Sequence, residues 1–145
     1  MKSVLSLLGL GLLLLTACSR ELVKDEIALE RYKEADVAYA EGRYEECIPH
    51  YEYVIRWRDR IFDAYIKLGS CYEQVGRQAD STAILKRLLQ VDPTNVDGMR
   101  ALAHAYEKGG DLSLSIQMHQ KILDAVPGDK QAWKDLLRLR GESRK

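Results

Sequence analysis

The sequence is poor in residues that interrupt regular structure. Its 145 residues include three prolines, Pro49, Pro93 and Pro127, and one phenylalanine, so helices are disfavoured at few places. Neither sign of charge prevails, with 22 basic and 22 acidic residues. That balance lacks the basic footprint of a nucleic-acid binder. No apolar run reaches the ~20 residues that a membrane-crossing helix needs. The longest, Val4 to Leu15, is twelve residues and is diluted by Ser6, Gly9 and Gly11. Also missing are a glycine-rich phosphate loop, His-Glu-x-x-His, Gly-x-Ser-x-Gly and Cys-x-x-Cys. The three histidines, His50, His104 and His119, stand without ligand spacing. The adjacent Glu45 and Glu46 read as a solvated helix start, where acids suit the helix dipole. No enzyme, metal, cofactor or small-molecule substrate is expected.

What is present begins with the amino terminus. A basic start at Lys2, a short apolar centre and small residues after it form the pattern of a secretory signal peptide. The run ends in Leu15-Thr16-Ala17-Cys18, which resembles the lipobox of bacterial lipoproteins. That resemblance implies a diacylglyceryl group on the Cys18 thiol, cleavage between Ala17 and Cys18, and N-acylation of the new terminus. Two or more acyl chains anchor a protein stably where one does so only marginally. Residues 1–17 are then a removed signal and 18–27 a lipidated tether. Ser19 is not the aspartate that, by resemblance, retains such proteins on the inner membrane. The expected location is the periplasmic face of the outer membrane, or the outer face of the cytoplasmic membrane if the host has no other.

The body of the chain repeats. Tyr65-x-x-Leu68-Gly69-x-x-Tyr72-x-x-x-Gly76, followed by Pro93, returns as Met99-x-x-Leu102-Ala103-x-x-Tyr106-x-x-x-Gly110, followed by Pro127. Each matched pair is separated by 34 residues. Leu68, Gly69 and Tyr72 share one face of a 3.6-period helix, and the small residue admits a close partner. Gly76 and Gly110 end first helices, where a left-handed residue is needed. Pro93 and Pro127 follow the ends of second helices. One period earlier, Gly42 matches Gly76, but Arg31 and Glu34 stand where apolar residues belong and read as capping of a terminal repeat. One period later, Ala132, Trp133 and Leu136 open a single further helix.

The period and its large-small-large spacing resemble the tetratricopeptide repeat, or TPR. The resemblance implies an all-α solenoid of three helix-turn-helix repeats, 28–61, 62–95 and 96–129, with a capping helix and tail over 130–145. It also implies stacking into a right-handed superhelix whose concave groove is lined by the first helices. By repeat position the groove floor is expected to hold Tyr32, Asp36 and Tyr39, then Ile66, Ser70 and Glu73. Asp97, Arg100, His104 and Lys108 follow, with Lys134 and Arg138 from the last helix. This predicts an aromatic, acidic N-terminal half and a mostly basic C-terminal half. Tyr32 and Asp36 replace the Lys and Asn of TPR domains that grip acidic chaperone tails, which argues against that clamp. Pro49 falls inside the second helix of the first repeat and predicts a kink at Cys47–Pro49.

Cys47 and Cys71 take small-residue positions of neighbouring helices. They are either small buried residues or a disulfide joining the first two repeats, which an exported compartment permits. The expected function is a membrane-tethered, non-enzymatic adaptor or assembly factor that binds a protein segment in its groove. The alternative is a structural subunit of a larger envelope complex, packing through its stack ends or convex face, with Trp57 and Trp133 as contacts.

Overall fold

The computed structural model describes residues 23–142, and Cys18 with its lipobox lies outside them. The described chain is helical throughout, without a strand. Helix α1 covers residues 23–40. It is followed by α2 (Tyr44–Trp57), α3 (Phe62–Gln74), α4 (Gln78–Val91), α5 (Val96–Lys108), α6 (Leu112–Ala125) and α7 (Lys130–Glu142). From α2 onward each helix packs on the next, and α3 also touches α5. Side-chain bonds tie α1 to both α2 and α3. The helices therefore form three antiparallel hairpins and a last single helix, stacked in chain order. Residues 23–27, expected as tether, are already helical. The Ala28 side chain is fully buried, and the turn before it extends the same helix.

The three first helices end alike. Gly42, Gly76 and Gly110 have φ of 74°, 78° and 83°, the left-handed region that a side chain enters only at a cost. Each is followed by a residue whose amide reaches back five positions: Arg43 to the Ala38 carbonyl, Arg77 to Tyr72 and Asp111 to Tyr106. Paired with the glycine amides bonding Tyr39, Glu73 and Glu107, these are Schellman closures. Second helices also end alike, with Arg58, Asp92 and Val126 in similar extended conformations. Proline follows the latter two but not Arg58, so the turn does not depend on it. At the next helix starts, the Asn95 side chain accepts from the Gly98 amide at 2.8 Å and Asp129 accepts from Ala132 at 2.8 Å, as N-caps do.

Pro49 does not interrupt α2, which runs unbroken through Cys47–Pro49. Proline removes the amide that would bond the Glu45 carbonyl. Both residues lie on the exposed face, where a carbonyl left without its helical partner is open to solvent.

The core is continuous along the stack. Tyr51, Tyr65 and Leu68 fill the first part with Ala35 and Cys71; Leu85, Leu102, Ala103 and Met118 fill the middle; Met99, Ile122, Ala132 and Leu136 close the end. Gly69 is small because Leu85 lies against it, 3.0 Å from where a Cβ would stand.

One buried polar residue makes stability depend on pH. His119 of α6 is 4% exposed and its Nδ1 has no hydrogen-bond partner. Burial holds its proton affinity below the ordinary histidine range, despite Asp135 and Glu107 and helped by Arg100 and Arg138. The unfolded ring therefore takes up a proton before the folded one does. Its contribution is complete above about pH 6.5 and is lost as pH falls. The thermal midpoint is expected to decline between about pH 7 and pH 5, and His119→Gln to flatten that decline. An equal decline in the variant would assign the effect elsewhere.

Candidate interaction groove

First helices one repeat apart lie side by side, and their side chains meet in register. The recurring polar contact across them joins residues 31 apart. Tyr32 donates to Asp63 at 2.6 Å, and Lys67 donates to Asp36 at 2.9 Å. The Tyr39 hydroxyl lies 3.2 Å from Ser70 Oγ, His104 Nδ1 lies 3.3 Å from Glu73, and Arg138 pairs with Glu107 at 2.8 Å. The interval is the 34-residue period less about one turn, so each rung joins a residue to one about a turn nearer the start of the next first helix.

These rungs are dense at the N-terminal end. Asp36 also accepts from the fully buried Tyr51 at 2.6 Å, and Lys67 pairs with Asp63 at 2.7 Å. Burial alone would raise the Asp63 carboxyl, but bonds from Lys67 and Tyr32 outweigh it and hold it below its usual range. The expected acidic half is thus partly neutralised by Lys67, which sequence reading missed. The expected basic half is matched as well. Arg100 pairs with Asp129 at 2.7 Å, and Arg138 pairs with Glu107 and, at 3.6 Å, Asp135. Lys108 and Lys134 are exposed. Counting 34 from Glu73 reaches Glu107, not Lys108, and Glu107 is the residue that joins the ladder.

Between α3 and α5 two rungs lack a polar pair. Ile66 stands opposite Asp97, and Ser70 opposite Ala101. A concavity of about 500 Å³ opens there, lined by Ile66, Ser70, Glu73, Gln74, Leu85, Asp97, Arg100, Ala101 and His104. It brings together six of the expected groove residues: Ile66, Ser70, Glu73, Asp97, Arg100 and His104. Tyr32, Asp36 and Tyr39 belong instead to the laced N-terminal floor. Lys108, Lys134 and Arg138 do not line the concavity. Gln74, Leu85 and Ala101 were missed, although Ala101 lies 34 residues from Lys67, at the ladder position where a small residue leaves a gap.

Cys47 of α2 and Cys71 of α3 are both fully buried, with their sulfurs 2.19 Å apart, at bonding distance. Among the described residues no group of three or more His, Cys, Asp or Glu is arranged to hold a metal ion.

Residues 62–95 match the family model described as Tetratricopeptide repeat. A stretch of 66 residues, 46% of this chain, is 33% identical to the type IV pilus assembly protein PilF of Pseudomonas aeruginosa. It spans 26%, about a quarter, of that relative. Among solved structures, the first TPR of Spaghetti (RPAP3), bound to the HSP90 peptide SRMEEVD, superposes with a TM-score of 0.74 at 13% identity, over 83% of this chain and 96% of that one. The Yersinia enterocolitica type III secretion chaperone SycD, in complex with a peptide of the translocator YopD, gives 0.70 at 12% identity over 79% and 92%. MamA gives 0.72 at 19% identity over 81% and 64%. The fold is an all-α TPR solenoid.

Proposed function

We propose that this chain is a lipid-anchored, non-enzymatic adaptor of the cell envelope, holding a segment of another protein in the concavity between α3 and α5. The observation that carries the reading is the gap in the polar ladder. The first helices α1 and α3 bond to one another at three places across the floor, whereas among the described residues α3 and α5 meet in one polar contact, Glu73 to His104. At Ile66, Ser70, Asp97 and Ala101 they leave apolar surface and polar edges open to a ligand. Mixed lining of this kind suits a polypeptide, whose side chains are apolar and whose backbone needs partners. The pilus-assembly role named for the P. aeruginosa relative supports an assembly function, and the lipobox supports the envelope.

A second reading has its own observation. Trp133 is 48% and Leu137 65% exposed, one turn apart on α7 at the end of the stack. That surface suits the end-on packing of a structural subunit. One experiment separates the two: crosslinked capture of partners from native membranes, with partners identified by mass spectrometry. Ala101→Trp fills the concavity and is expected to lower recovery of the groove partner at least about tenfold, with the melting curve unchanged. Retention by Ala101→Trp, with loss in a Trp133→Ser, Leu137→Ser chain, would replace the groove reading with the end-face one.

A further inference from the structure

Resting on the groove reading, we infer that the segment held between α3 and α5 is cationic, an extended stretch with an aliphatic side chain flanked by lysine or arginine. The charges at the concavity argue for this. Its only fixed cation is Arg100, whose charge Asp129 already balances across the 2.7 Å pair. Two carboxylates line it without such a match. Asp97 is exposed and makes no ion pair or side-chain hydrogen bond among the described residues. The Glu73 side chain, 12% exposed, faces only His104 and, at 3.4 Å, the Ser81 hydroxyl. An acidic tail entering here would meet these carboxylates, and like charges brought together in a partly desolvated site repel strongly.

The other groups complete the fit. Ile66, Leu85 and Ala101 form an apolar floor for one aliphatic side chain. Arg100 Nη1 is buried and lacks a partner within the described chain. A peptide carbonyl satisfies such a donor without adding negative charge. The site thus presents an acceptor pair for cationic side chains, a floor for an apolar one, and a donor for backbone.

The test uses the full chain extracted from membranes in non-ionic detergent, with fluorescein-labelled peptides GSKLRLKSG, GSQLNLQSG and GSELDLESG, read by anisotropy. The cationic peptide is expected to bind about tenfold tighter than the neutral one, the acidic one not at all, and the preference to shrink with salt. Asp97→Asn with Glu73→Gln, both near-isosteric, should bring the ratio between cationic and neutral peptide affinities to about one, with the melting curve unchanged. Ala101→Trp should abolish all binding. Tightest binding by the acidic peptide, lost in Ala101→Trp, would overturn the charge assignment and keep the groove. Cationic binding indifferent to all three substitutions would place it on another surface and overturn the inference. Failure of every peptide to bind also overturns it, while the groove reading stands or falls separately by partner capture with Ala101→Trp.

Discussion

Replacing Cys18 by Ser is expected to abolish lipid labelling and leader cleavage together. The proposed anchor is covalent. No helix among the described residues is long and apolar enough to cross a membrane. The twelve-residue apolar run before Cys18 is well short of the ~20 that a span requires. Serine keeps the size of the side chain but not the thiolate nucleophile that accepts the diacylglyceryl group. Wild-type chain should incorporate labelled palmitate and stay with membranes through alkaline carbonate washing. The Cys18→Ser chain should take up no label and keep residues 1–17. Ser19→Asp should leave labelling intact and move the protein from outer- to inner-membrane fractions. Equal labelling of wild type and Cys18→Ser would refute the anchor.

Reduction is the second large effect. With Cys47 and Cys71 bonded, a loop of sequence separation 24 is closed. Opening such a loop costs about 3 kcal/mol by chain entropy, or about 10 °C in thermal midpoint for a domain of this size. The contact suits a crosslink because both helices carry small residues there. One repeat on, Ser81 and Ala105 take the corresponding positions, and both are fully buried. Mass mapping without reductant should recover the two cysteines as one linked species. Dithiothreitol should lower the midpoint of the wild type but not of the Cys47→Ala, Cys71→Ala chain. Two free thiols in protein isolated from the envelope would rule the bond out.

The repeat was legible because four coincident offsets of 34 leave little alternative, and the glycines at the ends of first helices need a conformation that few other residues supply. The equivalence of the central positions was legible for the same reason. Ile66 and Arg100, or Ser70 and His104, are one position read twice. What escaped was pairing. Tyr32 and Asp36 read as exposed recognition groups, yet their partners Asp63 and Lys67 lie on the next first helix, a relation that no single-helix pattern reveals. Arg100 read as part of a basic half until Asp129, the N-cap of α7, proved to pair with it. Lys108 was chosen one residue out of register, and that slip exchanged a carboxylate for a cation.

The unevenly spaced rungs also make the stack an elastic object of unequal stiffness. Hydrogen bonds and the sulfur pair brace its first coil, and the Arg138–Glu107 pair braces its last. Between α3 and α5 the bracing on the concave side thins to the His104–Glu73 contact. The concave floor is thus laced more closely between α1 and α3 than between α3 and α5, and a ligand seated at the first would have to displace bonds that one seated at the second would leave intact.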